Sequence, residues 1–428
     1  MPARATKRGT DRTRLERDCD VLICGASFAG LAVARELAGS GARVLVIDRY
    51  EIGERQTSAC GIPTVWLDAM DLGGSLRQTF GELTVHTPWT SSRWRLPWTF
   101  STFDYRELCA TLWEQACARD AGVCARAYAG AGTRARTPPQ TNTTRPQTHT
   151  ADSQLAPAAH APRLEFETAT VSRREGDTVH TDRGELRAPL IVDCLGWRRA
   201  LSNATPIQPP NARLSRGLEV HPAGTGDEME LWIDAHCIRA GYGWSFPAGD
   251  EVRVGVGSFW PAHHVKQPTV DLARQVGLPP EGYQGNWIPH QLRRAVEDDV
   301  FFVGDSAGHC LPLTAEGIRT ALYFGIACGR ELRAVVEGRS DRTAALARYA
   351  AFSDAHEWKY RWLLRTQRAV GRLTPSRSVT ALVRALQHPG FCRWAFEHYM
   401  RIAPPPFLDD GLARARRAPA LPVSAAPT

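Results

Sequence analysis

The apolar positions near the start of the chain predict a strand, a tight turn and a helix in succession. An apolar run, 20–24, breaks into the glycine-rich segment Gly25–Gly30. Helical spacing then resumes, with small or apolar side chains at Leu31, Val33, Ala34, Leu37 and Ala38. A second buried strand, 42–47, ends at Asp48. This order predicts a βαβ unit with a parallel sheet.

The middle of the chain alternates apolar and polar residues as antiparallel strands do. The alternation covers Leu83–Phe100 and Arg213–Gly285, and it is typical of strands with one face on a core. A helix over 104–118 and a buried strand over 190–193 separate these two stretches. From Thr343 onward the spacing becomes helical again, with Leu346, Tyr349, Phe352, Trp358, Trp362 and Leu363.

The formal charge of +7 over 428 residues is concentrated in two segments. Residues 1–17 contribute +4 and residues 129–163 contribute +3, which leaves the remainder formally neutral. Both segments are poor in aliphatic residues, so we expect a disordered basic tail and a disordered insertion, with a frayed tail from Arg416 to Thr428. This distribution argues against a nucleic-acid surface. We expect the basic tail to allow peripheral contact with an anionic membrane.

The cysteines and the overall hydropathy exclude several classes of protein. The eleven cysteines form no Cys-x-x-Cys pair, so neither a zinc site nor a dithiol redox motif is indicated, and we expect no metal. No apolar amino-terminal segment or run of roughly 18 apolar residues occurs. A cytoplasmic location is the simplest expectation.

The turn at Gly25–Gly30 has the features of a dinucleotide site. Gly25 permits a sharp turn, Ser27 allows close approach of a pyrophosphate to the backbone of Phe28 and Ala29, and Gly30 allows close helix–strand packing. The carboxylate of Asp48 lies where a ribose hydroxyl needs an acceptor. An ordinary βαβ turn without a nucleotide remains the alternative.

A second segment near the other end resembles the second FAD fingerprint of glutathione-reductase-like flavoproteins. A short apolar run, 300–303, is followed by Gly304-Asp305 and then by Gly317-Ile318 before an apolar helix. The resemblance implies that Asp305 holds the ribityl chain and that the amides of Gly317 and Ile318 face the pyrimidine edge of the flavin. We also expect Arg49, Cys60, Gly61 and Arg106 to contribute to FAD binding.

The motif at 242–247 resembles the Tyr-x-Trp-x-Phe-Pro signature of geranylgeranyl reductases, which saturate isoprenoid double bonds. On a strand the three aromatic side chains share one face, and the resemblance assigns to substrate binding Tyr242, Trp244, Phe246 and Pro247. Core filling behind the sheet is the alternative role for this stripe. A related halogenase signature differs at two diagnostic positions, and no lysine occurs between Arg8 and Val265, which argues against halogenation.

The resemblance also suggests catalytic candidates. Geranylgeranyl reductases place a Cys-Gly pair near the flavin, where this chain has Cys60-Gly61, and Tyr242 is the second candidate. In related hydroxylases the strand at 190–193 ends in Asp-Gly, whereas this chain has Asp193-Cys194. We therefore expect a structural role for Asp193.

The resemblance predicts an α/β protein. The expected fold has a discontinuous, three-layer FAD/NAD(P)-binding Rossmann-like domain, an antiparallel β-sheet substrate domain and a helical C-terminal region. The expected segments are a tail at 1–17, an FAD domain at 18–78, 103–201 and 295–334 with the insertion 129–163, a substrate domain at 79–102 and 202–294, and the helical region at 335–428.

The implied activity is FAD-dependent reduction of carbon–carbon double bonds in an isoprenoid or other apolar small molecule. No second dinucleotide fingerprint is visible, so the electrons would come from transiently bound NAD(P)H, such as NADPH, or from a ferredoxin-like carrier. Two alternatives stay open: an FAD-dependent monooxygenase acting on an aromatic or polyketide substrate, and a flavin-binding redox sensor or scaffold without turnover.

Overall fold

The computed structural model describes residues 13–56, 58–131, 163–203, 214–373 and 377–405, with backbone alone for 122–131. Most of the expected basic tail, the insertion beyond residue 131 and the tail from Arg416 lie outside the described residues. The strands are β1 Arg17–Asp18, β2 Val21–Cys24, β3 Val44–Asp48, β4 Gly61–Pro63, β5 Leu76–Thr87, β6 Thr90–Phe103, β7 Leu164–Thr168, β8 Val171–Glu175, β9 Thr178–Thr181, β10 Gly184–Arg187, β11 Leu190–Asp193, β12 Leu214–Val220, β13 Glu230–Trp232, β14 Gly241–Pro247, β15 Val252–Ser258, β16 Gln284–Pro289, β17 Val296–Glu297 and β18 Val300–Phe302. The helices are α1 Phe28–Leu37, α2 Thr64–Ala69, α3 Tyr105–Ala131, α4 Lys266–Gln275, α5 Ile318–Val336, α6 Arg342–Asp354, α7 Glu357–Leu373, α8 Arg377–Ala385 and α9 Pro389–Met400.

A six-stranded sheet forms the base of the molecule, in the order β17-β18-β11-β2-β3-β7. All pairs are parallel except β17 with β18. Cys24 pairs with both Ile47 and Asp193, so the carboxyl ends of β2, β3 and β11 lie at the same edge. Ligands bind at this edge in open parallel sheets.

Helices and a smaller sheet complete this part of the fold. Helix α1 contacts both α3 and α5, and Gly325 lets α5 approach α1 closely because an added Cβ would lie 2.8 Å from the Ala29 carbonyl oxygen. A four-stranded sheet, β1-β10-β9-β8, contributes Val179 and Leu186 to the same apolar core. The predicted three-layer Rossmann-like arrangement is confirmed.

An eight-stranded sheet stands over the carboxyl edge of the first, in the order β16-β12-β15-β14-β13-β5-β6-β4. Its pairs are antiparallel except β13 with β5. The predicted antiparallel sheet is therefore present. The segment Gly61–Pro63 also joins it, through pairing of β4 with β6.

Helices α6–α9 form the carboxyl-terminal part of the described chain, which confirms the predicted helical region. Helix α3 was expected to end near Ala118, and that prediction is wrong because the helix continues to Ala131. The alanines of this extension favour helix strongly enough to carry it into the sequence assigned to the insertion. In the part of the chain that the structure describes, no helix has the length and apolar character needed to cross a bilayer.

Candidate functional site

A cavity of about 1480 Å³ lies between the carboxyl edge of the six-stranded sheet, one face of the eight-stranded sheet and helices α7–α9. Single drug-sized ligands occupy pockets of roughly 300–1,000 Å³. The cavity therefore has room for a cofactor and a second molecule side by side.

The turn between β2 and α1 depends on two glycines. Gly25 has a φ of +112°, and a Cβ there would lie 2.3 Å from the carbonyl oxygen of Cys194. A Cβ on Gly30 would lie 1.8 Å from the carbonyl oxygen of Gly25. Neither position accepts a side chain without a backbone shift, so Gly25 lets the turn lie against the end of β11 and Gly30 lets α1 begin close to the turn.

The amino terminus of α1 opens into the cavity. Ala26, Ser27, Phe28 and Ala29 line the wall, and Ser27 at the N-cap makes no side-chain capping hydrogen bond. Its hydroxyl instead accepts a hydrogen bond from the phenol of Tyr105 at 3.2 Å. The first N–H groups of a helix carry partial positive charge and bind anions. This geometry suits a phosphate.

Asp48 lies at the end of β3 on the same wall. Its carboxylate accepts hydrogen bonds from the backbone N–H of Ala26 at 2.8 Å and of Tyr50 at 3.1 Å. Burial raises its pKa, and these two bonds oppose the rise. Arg49 also lines the cavity, with its guanidinium over the Tyr50 ring at 4.9 Å.

Gly304 and Asp305 follow β18 and line the cavity from the other side. Gly304 has a φ of +65°, which places Asp305 in a short 3-10 turn. Burial raises the pKa of the Asp305 carboxyl to about 6, and the charge of Arg293 opposes that rise.

Helix α5 begins at the cavity as well. Gly317 is its N-cap, without a side-chain capping bond, and both Gly317 and Ile318 line the wall. Just before them, Glu316 forms a buried pair with Arg319, with Nε and Oε1 at 2.6 Å. This ion pair holds the start of α5 in place.

The aromatic strand β14 presents Tyr242, Trp244 and Phe246 to the cavity, while Gly241, Gly243, Ser245 and Pro247 are buried. The Trp244 ring lies over Gly255, where a Cβ would come within 2.1 Å of it. Its indole N–H donates to Glu219 at 3.3 Å. Neighbouring strands extend the apolar wall with Leu83, Trp94, Leu96, Trp98, Phe100, Leu231 and Ile233.

A hydroxyl network joins this strand to the loop before α5. Tyr242 donates to the carbonyl oxygen of Thr314 at 2.5 Å, and Thr314 Oγ1 lies 2.7 Å from the Tyr399 hydroxyl. Tyr399 also donates to Glu316. Burial raises the pKa of both phenols. Tyr399 could not be identified from the sequence, because only the packing of α9 brings it to residues so distant in the chain.

Five residues singled out from the sequence do not line the cavity: Gly25 and Gly30, which shape the turn behind it, and Cys60, Arg106 and Pro247. Cys60 is fully buried, its thiol donates to the Ser58 carbonyl oxygen at 3.2 Å, and burial raises its pKa. Arg106 is exposed on α3, and Pro247 is buried with its carbonyl accepting a bond from Thr102. Gly61, by contrast, lines the wall. The geometry gives Cys60 no access to a ligand in the cavity.

Asp193 sits at the end of β11 with its carboxylate fully partnered. It accepts hydrogen bonds from the Ser306 hydroxyl at 2.6 Å and from the N–H groups of Leu195 and Leu201, each at 2.9 Å. These bonds tie the ends of two strands together.

The residues at the carboxyl edge fit FAD. Two helix amino termini without side-chain caps open into one cavity, and Gly25 and Gly30 allow the tight turn that leads into the first of these helices. Asp48 and Asp305 add acceptors for hydroxyl groups on opposite sides. No group of His, Cys, Asp and Glu able to hold a metal occurs among the described residues.

Comparison with known proteins gives the same assignment. Residues 18–211 match a family described as an FAD binding domain. Digeranylgeranylglycerophospholipid reductase 3 of Methanosphaera stadtmanae is 23% identical over 366 residues, which cover 79% of this chain and 83% of the relative.

Two solved structures share the fold. A geranylgeranyl bacteriochlorophyll reductase-like protein of Thermoplasma acidophilum has a TM-score of 0.66 and 15% identity, covering 87% of this chain and 92% of its own. A probable FAD-dependent monooxygenase of Pseudomonas aeruginosa has a TM-score of 0.59 and 17% identity, covering 86% and 99%. The chain is therefore a flavoprotein that carries an FAD binding domain, and over most of its length it is similar to geranylgeranyl reductases.

Proposed function

We propose that this protein reduces carbon–carbon double bonds of an isoprenoid or other apolar molecule bound beside FAD. The observation that carries the proposal is the aromatic face of β14, which lines the same cavity as the two FAD loops. Tyr242, Trp244 and Phe246 present rigid apolar surface there, which suits a hydrocarbon chain better than a polar substrate.

The cofactor would be held by the residues at the carboxyl edge of the six-stranded sheet. The amides at the start of α1 bind the pyrophosphate, Asp48 accepts from a ribose hydroxyl, and Asp305 accepts from the ribityl chain. The amides of Gly317 and Ile318 stabilise negative charge on the ring. FAD, when bound, supplies the two electrons of the reduction.

Residues of the protein would orient the substrate and supply the proton. Trp244 is fixed by its bond to Glu219 and by the space that Gly255 leaves, so it can orient a substrate without rotating. The Tyr242 phenol is protonated at neutral pH, because its ordinary pKa of about 10 is raised further by burial. Its proton is donated to the carbonyl oxygen of Thr314, so donation to a substrate would require that bond to open. Tyr242 is the better candidate for proton donor than Cys60, whose thiol has no exposed surface.

Two electron sources are compatible with the sequence. The two FAD motifs account for the glycine-rich segments described above, so NAD(P)H would bind only transiently, or a ferredoxin-like carrier would deliver the electrons. The relative from Methanosphaera stadtmanae is named digeranylgeranylglycerophospholipid reductase 3, which supports an isoprenoid substrate here.

Turnover with a polyprenyl substrate tests the proposal. Purified protein is incubated without oxygen with dithionite and a geranylgeranyl lipid, and the products are examined by mass spectrometry. We expect products heavier by two hydrogens for each reduced bond. Unchanged substrate in the presence of reduced, FAD-loaded protein would contradict the proposal.

A monooxygenase acting on an aromatic or polyketide molecule is the second candidate. The observation in its favour is the fold, which matches a probable FAD-dependent monooxygenase over 99% of that chain. Oxygen consumed in proportion to a hydroxylated product would select this activity over reduction.

A further inference from the structure

The carboxyl-terminal helices leave an unusual set of side chains at the cavity mouth. Trp358 and Trp362 of α7 are 67% and 59% exposed, Trp394 of α9 is 56% exposed and Leu382 of α8 is 48% exposed. All four also line the cavity. These side chains, called here the mouth residues, face both the apolar interior and the solvent.

The mouth residues surround the opening of one cavity and are ordered along their helices. Trp358 and Trp362 are four residues apart on α7, so they lie on one face of the helix. On α9 the Trp394 ring stacks on Phe391, with centroids 5.8 Å apart and an interplanar angle of 12°. Contiguous apolar patches on a protein surface mark sites of interaction with a partner or a membrane.

The surroundings of the mouth residues are strongly basic. Residues 357–405 contain nine Lys and Arg against two Glu, although the chain outside its two basic segments is formally neutral. Eight of the nine are exposed: Arg361, Arg365, Arg368, Arg372, Arg377, Arg384, Arg393 and Arg401. Tryptophan beside Lys and Arg on one surface is the combination found in helices that lie in a membrane interface.

We propose that α7–α9 dock the protein on an anionic lipid bilayer, with the mouth residues in the interface and the arginines on the headgroups. Charge complementarity favours an anionic bilayer over a neutral one, because each basic residue near such a surface adds attraction. The cavity mouth then faces the membrane. Passage of a lipid substrate from the bilayer into the cavity rests on the proposed function, whereas docking itself does not.

Vesicle sedimentation tests the docking without any turnover. The FAD-loaded, full-length protein is mixed with vesicles of phosphatidylcholine alone or with added phosphatidylglycerol. We expect binding to the anionic vesicles and a fall in affinity of about tenfold or more for Trp358→Ser/Trp362→Ser. Arg365→Gln/Arg368→Gln/Arg372→Gln is expected to weaken binding similarly, and the arginine contribution is expected to shrink as salt rises.

Control variants distinguish binding through α7–α9 from non-specific binding through any exposed aromatic or basic residue. Tyr283→Ser removes a 44% exposed aromatic ring beside Lys266, away from α7–α9. Arg173→Gln/Arg187→Gln/Arg274→Gln removes three exposed arginines on other elements. Arg4→Gln/Lys7→Gln/Arg8→Gln removes three charges from the amino-terminal segment. We expect all three controls to keep most of the affinity, with FAD content and melting temperature unchanged throughout.

Three results would overturn the proposal. One is equal loss of affinity in the surface and control variants, which would indicate binding by net charge alone. Another is loss only in the amino-terminal variant, which would assign docking to that segment. The third is absence of vesicle binding together with a dimer in light scattering that Trp358→Ser/Trp362→Ser dissociates, which would make a second copy of this chain the occupant.

Discussion

The hydroxyl of Tyr242 donates a hydrogen bond to the carbonyl oxygen of Thr314 over a distance of 2.5 Å. This bond joins the aromatic strand of the large sheet to the loop that precedes α5, whose first amides line the cavity. The hydrogen bond therefore connects the strand proposed to contact the substrate with the helix start proposed to contact the flavin.

Replacing Tyr242 with phenylalanine tests its role as proton donor. Because the ring is kept, we expect FAD content and stability to change little, the lost hydrogen bond contributing about 1 kcal/mol. The rate of double-bond reduction is expected to fall by about 10²–10⁴-fold. Single-turnover kinetics with product analysis measure this. The control is Tyr105→Phe, which removes the phenol that donates to Ser27 and is expected to lower FAD retention instead. A wild-type rate of reduction in Tyr242→Phe would exclude the assigned role.

Replacing Gly25, in the turn after β2, is expected to destabilise the protein much more than replacing Gly338, which follows α5. Gly25 and Gly338 both have positive φ, but a Cβ on Gly25 meets the Cys194 carbonyl oxygen whereas a Cβ on Gly338 has no heavy atom within 4 Å. Gly338→Ala is expected to cost about 1–2 kcal/mol of unfolding free energy, the backbone penalty alone. Gly25→Ala is expected to cost several times more and to lose FAD. Urea unfolding of both variants gives the comparison, and equal costs would show that the close approach is unimportant.

Burial of Asp305 predicts a pH dependence of the flavin-free protein. The folded carboxyl has its pKa raised to about 6, while an unfolded Asp titrates near 3.9. The folded state therefore binds the proton more tightly, and this contribution to stability is lost as pH rises from about 4 to about 6.

The comparison that isolates this effect is Asp305→Asn, which cannot titrate. We expect the unfolding free energy of the wild type to fall relative to that of Asp305→Asn by about 1–3 kcal/mol across this pH window. Denaturant unfolding at several pH values measures the difference. Parallel pH profiles for the two proteins would contradict the expected shift.

The buried pair of Glu316 and Arg319 predicts a stability effect at the start of α5. Glu316→Gln leaves the Arg319 guanidinium buried without its carboxylate, which is expected to cost about 3–5 kcal/mol. Tyr399→Phe removes only the hydroxyl bonds to Thr314 and Glu316, at about 1–2 kcal/mol. Thermal and urea unfolding distinguish the two. Similar small losses in both variants would show that Arg319 is compensated by its carbonyl partners, Met400 and Ala403.

The features that could be predicted from the sequence are those that depend on residues close together in the chain. The turn at Gly25–Gly30, the acid at the end of β3 and the alternation around Trp244 each follow from residues close together in the chain. The exposure of Arg106 and the burial of Cys60 could not be read in this way, because both depend on how distant elements pack. The same holds for Tyr399 and for the mouth residues, whose position depends on how α7–α9 cover the sheet. The helix predicted over 104–118 continues to Ala131, and only its last three residues fall in the segment 129–163, where composition favoured disorder.

The most direct measurement for the central claim is the anaerobic absorbance of the photoreduced, FAD-loaded protein after mixing with a geranylgeranyl lipid. The account predicts that the yellow flavin band returns without oxygen, in proportion to a product that has gained two hydrogens. A flavin that stays bleached until oxygen is admitted, with the lipid unchanged, would contradict it.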